Sequence, residues 1–501
     1  MRFLPPLFIL FLGTLTASAA PQKPNIVLFL VDDMGWQDTS VPFAGEVTPF
    51  NKRYRTPNME ALAAKGMKFT QAYACSVCSP SRVSIMTGQN AARHRVTNWT
   101  LRKNASNDAN HPRLSFPGWN VNGLSSEPGI ERTVHAQTLP MLLQNAGYRT
   151  IHTGKAHFGA IGTPGEDPVK VGFDVNIAGH AAGGQGSYLG TQNFSAKWRK
   201  GSAVWDVPGL EAYHGKDVFL TEAITIEANK AVDAAVAEKT PFYLYCAHYA
   251  VHVPFAEDAR FIERYKKAGL NKTEAMYAAL VEGMDKSLGD IMANIERHGQ
   301  TENTIILFMS DNGGLSAHGR GGKAHTHNAP LSSGKGSAHE GGVRVPMIVS
   351  WPGVTKSASV CEHPVIVEDF FPTILEMAGV KADAADGISF VPLLEGKKTQ
   401  EEDRPLIWHF PNNWGPGGPG IGPSSAIRVG DWKLIYYHDP GRKVPYELFN
   451  LANDLSERKN LADEKPEIRE RLAKRLADYL INVDATMPVV KTSGEFVPMP
   501  E

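Results

Sequence analysis

Asp32 and Asp33 close one apolar run, "NIVLFLVDD", and Asp311 and Asn312 close another, "TIILFMSDN". Together they offer only oxygen donors, three of them on carboxylates. Hard oxygen ligands suit Ca²⁺ or Mg²⁺, whereas zinc or iron favours His or Cys. A lone Asp after a strand is most simply the cap of the next helix. Two such pairs, each delivered by a strand, point instead to a metal site. A dication there opposes the charge of a bound oxyanion and acts as a Lewis acid.

A second group is cationic: Lys155 and His157 in "TGKAHF", His248 and His252 in "AHYAVHVPF", and Lys335 in the Gly-flanked "SSGKGSAHEGG". The chain has 17 histidines, so most of them must be structural. These stand apart because they follow buried runs or sit where glycine lets backbone approach a ligand. A Lys and a His on either side of a leaving oxygen supply charge stabilisation and a proton. Cys78, in "ACSVCSPSRVSIMTGQ", opens what reads as a short helix, with Arg82 one turn on. A helix N-terminus favours an anion. It also lowers a thiol's pKa, so a reactive thiolate is the alternative. Three carboxylates nearby oppose a thiolate unless a metal neutralises them, and the residues alone leave that choice open.

These groups need elements that bring them together. Apolar runs bounded by polar residues predict strands at 25–31, 148–153, 241–247, 304–310 and 345–351. Helical spacing between them appears in "TPNMEALAAKG", with Thr56 as cap, in residues 273–299 and in residues 367–379. Strand and helix in alternation predict an α/β domain with a largely parallel sheet. In such sheets ligands bind beyond the carboxyl ends of the strands, which is where the charged residues fall. After residue 400 the texture changes. A Gly/Pro-rich stretch (411–425) precedes a predicted hairpin turning at Gly430-Asp431 and a helix with Ile468, Leu472, Leu476 and Leu480 on one face. That predicts a smaller C-terminal α+β subdomain with an antiparallel sheet over 401–501, after a catalytic domain spanning 20–400.

Composition narrows the function. Lys and Arg total 51 against 52 Asp and Glu among 501 residues, a net charge of -1 that excludes the basic face nucleic-acid binding requires. Residues 1–19 read as a signal peptide: Arg2, an apolar stretch too short to be a comfortable membrane anchor, and Ala17-Ser18-Ala19. The expected product is exported, periplasmic or secreted. Four cysteines are too few for a disulfide framework and lack zinc-site spacing.

"CSPSRVSIMTG" resembles the signature of the type I sulfatases, C-x-P-S-R followed by T-G. "VDDMGW" and "SDNGG" resemble that family's two metal segments, "TGKAHFG" its Lys/His segment, "HVPF" its later histidine and "GKGSAHEGGVRVPMIVSWPG" the segment of its second lysine. Residues 426–437 and 446–462 resemble its C-terminal subdomain. Six motifs in family order span nearly the whole mature chain. The resemblance implies an alkaline-phosphatase-like sulfatase fold, with a large mixed, mostly parallel sheet flanked by helices. It implies that Cys78 is oxidised to formylglycine by a formylglycine-generating enzyme or radical maturase. It further implies Ca²⁺ held by Asp32, Asp33, Asp311, Asn312 and the modified residue 78. Arg82 and Lys155 then steady the reacting oxygens, His252 and Lys335 serve the leaving oxygen, and His157 takes the proton that allows sulfate to depart.

The resemblance implies a sulfated saccharide as substrate, of polysaccharide or glycosaminoglycan type, with galactose or N-acetylgalactosamine sulfates as the sugars considered first. Candidate sugar contacts are Arg93, His94 and Arg95 after the signature, His248, and His318, Arg320, His325 and His327 beside the second metal segment. Trp99, Trp119 and Trp414 lie in polar or Gly-rich loops, where an indole either stacks on a sugar or plugs a seam. The runner-up activity is a phosphodiesterase or phosphonate monoester hydrolase of the same superfamily. Those enzymes typically carry a histidine where this chain has Asn312. A carbohydrate-binding relative without activity should have lost charged members of the site, and none is missing here.

Overall fold

Residues 25–31 are apolar because both faces of the strand they form are buried. In the computed structural model, which describes residues 23–116, 118–397 and 403–501, Ile26, Leu28 and Leu30 pack into one core. Val27, Phe29 and Val31 pack into a second core on the opposite side. A strand covered on both faces loses the in-out alternation of a half-exposed one. The signal peptide expected at 1–19 and the domain boundary expected at 400/401 lie outside the described residues.

This strand, β1 (Asn25–Val31), sits inside a nine-stranded sheet. The others are β2 (Met67–Tyr73), β3 (Arg149–Gly154), β4 (Val175–Ile177), β5 (Phe242–Ala247), β6 (Thr304–Ser310), β7 (Arg344–Ser350), β8 (Ser359–Cys361) and β9 (Val365–Ile366). Their spatial order is β8-β2-β7-β6-β1-β5-β3-β4, with β9 also on β2. Leu28 lies opposite Tyr245 on one side and Leu307 on the other. All pairings are parallel except those of β7, which runs antiparallel to both β2 and β6. Strands β1, β2, β3, β5 and β6 therefore end at one edge of the sheet, and β7 begins there. This explains why Lys335 precedes its strand while the other candidate residues follow theirs.

The helices α1 (Pro57–Lys65), α3 (Leu220–Ala237) and α4 (Lys272–Arg297) cover one face; α2 (Cys78–Thr87) and α5 (Phe370–Met377) cover the other. Helix α4 starts at Asn271, whose side chain accepts from the N–H groups of Thr273 and Glu274. It buries Leu280, Met284, Leu288 and Ile291 along one stripe. Thr56 precedes α1 as expected but makes no capping bond, because its hydroxyl is engaged with Thr39 and Ser40.

The C-terminal region adds an antiparallel sheet of β10 (Leu406–Phe410), β11 (Ser424–Val429), β12 (Trp432–Tyr437) and β13 (Tyr446–Asn450) in that order. The β11–β12 hairpin turns at Gly430-Asp431. Helix α6 (Pro466–Asn482) packs Leu472, Leu476 and Leu480 with Ile427, Leu434 and Leu448. On the other face Trp408, Ala426, Ile435 and Phe449 join the main core. Lys433 of β12 is fully buried, 2.8 Å from Glu340 and 3.0 Å from Glu457. Among the described residues no helix is long and apolar enough to cross a membrane.

Candidate active site

Each strand delivers its residues to the common edge by its own route. β3 turns out of the sheet at Gly154, with φ +87° and the Ala247 carbonyl oxygen 1.9 Å from where a Cβ would stand. Only glycine makes that turn, and it sets Lys155 beside the ends of β1 and β5. β1 delivers Asp32 and then Asp33, whose φ of +60° is a left-handed conformation rare for non-glycine residues. His157 is held in the same region at φ +55°. Such strain persists where the surroundings over-determine it, commonly at functional sites.

The acidic residues are all fully buried and interlocked with cations. Lys155 Nζ lies 2.7 Å from Asp32 Oδ2, and Lys335 Nζ lies 2.6 Å from Asp33 Oδ1. Arg82 donates through Nε to Asp311 Oδ2 at 2.9 Å and through Nη1 to the Lys155 carbonyl at 2.6 Å. Asn312 donates its amide N–H to Asp33 Oδ1 at 2.8 Å. After these bonds three buried acceptors remain without a partner: Asp32 Oδ1, Asp33 Oδ2 and Asn312 Oδ1. Unpaired buried oxygens are costly and call for a partner. Oxygen-only donors with two carboxylates among them fit a hard dication. His252 is near enough that its ring nitrogen and one oxygen each of Asp32 and Asp33 lie within 4.8 Å of one another.

The charges are set by burial and by these neighbours. Burial pushes the Asp32 carboxyl up to about 8 against the pull of Lys155, with Asp311 and Asp33 adding to the rise. Burial also opposes charge on Asp33, but Lys335, His252 and Lys155 outweigh it and hold that carboxyl well below the usual range. Lys335 is correspondingly held above its ordinary value, since Asp33 more than offsets its burial. Burial, reinforced by Lys335, lowers His252 to about 3. Its Nδ1–H donates to the Val253 carbonyl at 2.6 Å, leaving Nε2 bare and 3.8 Å from Asp33 Oδ2. His157 donates Nε2–H to the Thr100 carbonyl at 2.9 Å, and its buried Nδ1 has no partner. Burial likewise pushes the Cys78 thiol up, only partly offset by Lys155 and Lys335.

Cys78, Asp33, His157, His252 and Lys335 line one cavity of about 350 Å³. Trp99, Trp414 and His318, expected as sugar contacts, line it too, with the His318 and Trp414 rings 5.7 Å apart. Asp32, Arg82, Lys155, Asp311 and Asn312 sit behind the wall and brace it. Sequence reasoning missed Trp205, Val253, Leu315 and Pro416 on the wall. Val253 and Leu315 follow motif residues directly. Trp205 closes a short turn, Ala203–Trp205, in an irregular stretch that carries no periodic signal.

The remaining expected sugar contacts are committed elsewhere. Arg93 forms a bidentate pair with Asp386, and Arg95 pairs with Asp484. His94 is fully buried against Ser84 and takes the Val96 N–H on Nδ1. His248 lies in the core against Phe29, 2.8 Å from Ser287 Oγ. Arg320, fully buried, spans Asp38 and Glu274 over the Tyr277 ring. His325 faces Ser333 and Gly418, and His327 is bound to Ser316 and the Gly321 carbonyl. Trp119 is a buried plug tied to Asp108. None of these eight lines the cavity: the buried ones, Arg320, His94, His248 and Trp119 among them, are held by packing or by partners they cannot leave cheaply.

The sulfatase family model matches residues 24–380, and a model described as N-sulphoglucosamine sulphohydrolase, C-terminal, matches 334–484. The chain belongs to the sulfatase family. It is therefore a hydrolase of sulfuric esters. A sulfatase of Formosa agariphila is 31% identical over 99% of this chain and 96% of its own. The N-acetylgalactosamine-6-sulfatase of Mus musculus is 32% identical, covering 79% of this chain and 71% of that one. Among solved structures, Ps i-CgsB in complex with k-i-k-neocarrahexaose superposes with a TM-score of 0.72 at 28% identity, covering 92% of this chain and 93% of that one.

Proposed function

We propose that this sulfatase hydrolyses sulfate esters of carbohydrates, with galactose or N-acetylgalactosamine sulfates as the first candidates. In this reading Cys78 is oxidised to formylglycine, and Asp32, Asp33, Asp311 and Asn312 hold Ca²⁺. The observation that carries the metal and nucleophile is the trio of unpaired buried oxygens on Asp32, Asp33 and Asn312, with Asp33 and Cys78 lining one cavity. The sugar rests on relatives named for N-acetylgalactosamine 6-sulfatase activity and for a complex with k-i-k-neocarrahexaose, together with the tryptophans of the cavity.

The bound dication supplies Lewis-acid stabilisation, and hydrated formylglycine supplies a nucleophilic oxygen with its own means of releasing sulfate. The chain's residues do the rest. Lys335, kept charged by Asp33, stabilises negative charge on the departing oxygen. His252 lines the same cavity with Nε2 bare, placed to take a proton from solvent and pass it to that oxygen. His157 offers bare Nδ1 as base toward position 78. Arg82 holds Asp311 and the Lys155 backbone in place from behind. Burial opposes a thiolate at Cys78 in the absence of the dication, with Asp311 and Asp32 adding to that opposition. Asn312, which keeps the donors all oxygen, favours sulfate over phosphodiester. The leader at 1–19 supports export to the periplasm or medium.

Mass spectrometry of the peptide containing residues 75–82, from cells able to modify it, tests the nucleophile: a formylglycine is lighter than cysteine and does not alkylate. Sulfate released from an aryl sulfate, measured against hydrolysis of an aryl phosphodiester, tests the reaction. An unmodified Cys78 in fully active protein overturns the proposed nucleophile.

A further inference from the structure

Away from the sulfate-facing residues, the cavity wall is made by Trp99, Trp205, Trp414, Val253, Leu315 and Pro416, with His318, whose charged form is disfavoured by burial, against Trp414. Lys335 is its one lining ammonium among the described residues, and it is committed to Asp33 at 2.6 Å. No arginine lines it among those residues. The arginines near the signature and the second metal segment are neutralised by Asp386, Asp484, Asp38 and Glu274. An anionic group held against such a wall is desolvated with no counter-charge. An uncharged pyranose suits it, because tryptophan offers an apolar face with a polar edge.

We propose that the cavity selects a sugar residue whose sole anionic group is the sulfate ester to be cleaved. Trp205 is a specificity-determining residue for that ring. A carboxylate or second sulfate on the same residue is rejected. This rests on the sulfatase reading and names the substrate class of that site. Trp205 reaches the cavity from outside every segment that holds sulfate or metal, so its contribution is separable from the chemistry.

The test uses the full chain with formylglycine at position 78 verified by mass. Sulfate release is measured from an aryl sulfate, from positional isomers of monosulfated neutral hexosides, and from counterparts carrying a uronate or a second sulfate on the same residue. At least one neutral monosulfated isomer should exceed every doubly anionic counterpart tenfold or more in kcat/KM. Trp205→Ala should raise KM for that sugar fivefold or more with kcat within twofold, and Trp205→Phe should restore most of the loss. Pro416→Arg, a loop substitution that adds a cation to the wall, should narrow the gap for doubly anionic substrates at least threefold. Equal or better turnover of uronate or disulfated residues, or an unchanged KM in both Trp205→Ala and Pro416→Arg, overturns the inference while leaving the sulfatase reading intact. No sulfate from any substrate, the aryl sulfate included, overturns the reading beneath it.

Discussion

His157 is fixed from two sides: Thr100 takes its Nε2–H, and Gly183 lies flat against its ring, so close that a Cβ would stand 2.2 Å from Cε1. Gly183→Ala must push the imidazole aside. Misplacing a reacting group by about 1 Å costs on the order of 10²-fold in rate. Gly183→Ala is expected to lower kcat on that scale, with a lowered thermal midpoint because overpacking beside a fixed ring costs about 1–3 kcal/mol, as steady-state kinetics and a melting curve will show. Lys335→Ala and His252→Ala should each cost about 10²- to 10⁴-fold in turnover with unchanged far-UV circular dichroism. Near-normal rates in either would remove it from its role. The metal ligands predict a binding effect as well. Calcium at about 100 times its dissociation constant should add about 2.7 kcal/mol to stability. Asn312→Ala should shrink that gain in a titration followed by denaturation.

At the scale of elements, strand β7 joins the two halves of the molecule. Glu340, just before it, is gripped by Lys433 of β12 and by Arg344, and its carboxyl is held down to about 2: burial raises it, but those cations outweigh burial. Removing one partner of a buried ion pair strands the other and costs about 3–5 kcal/mol. Lys433→Ala should lose that much in urea unfolding, with reduced turnover because Lys335 lies on the same connection. Lys433→Met should lose no less while Glu340 and Glu457 remain charged. Four of the five buried strands are legible in the sequence as continuous apolar runs, and β3, "RTIHTG", as a short run between Gly147 and the Lys/His segment. β2 was not read from the pattern: "MKFTQAY" is half-polar, being only partly covered. The reversed direction of β7 is equally silent, since a buried strand's composition does not depend on which way it runs.

Over the whole molecule, many polar groups are buried, and this governs behaviour in acid. Burial lowers His94, His152 and His248 to about 3, and His409 to about 4. Their unfolded-state value is about 6.5. Between those limits the unfolded chain binds protons that the folded one refuses, so stability falls as pH falls. Each such histidine contributes up to about 1.4 kcal/mol per pH unit. Asp32, Asp285 and Glu368, raised by burial to about 8, 6 and 7, act in the opposite direction but are outnumbered by the buried histidines. Denaturation midpoints should therefore drop between pH 6.5 and pH 4.5, and more gently in His94→Gln. The same burial explains why the sugar contacts were the least legible part of the site. Arg93, Arg320 and His248 have the residue types of a ligand site, but partners distant in sequence, at 386, 38 and 287, had already engaged them.

The wall that meets the sugar and the floor that meets sulfate come from different parts of the chain. The floor is fixed by strand ends that cannot move without disturbing two cores. Trp205 and Trp414 stand on irregular stretches and belong to neither core themselves, although Val207 and Leu210, just after Trp205, anchor its loop in the second. Exchanging those two loops for others of unequal length is thus a route to catalysts with new sugar preferences, made by grafting and without redesigning the reaction.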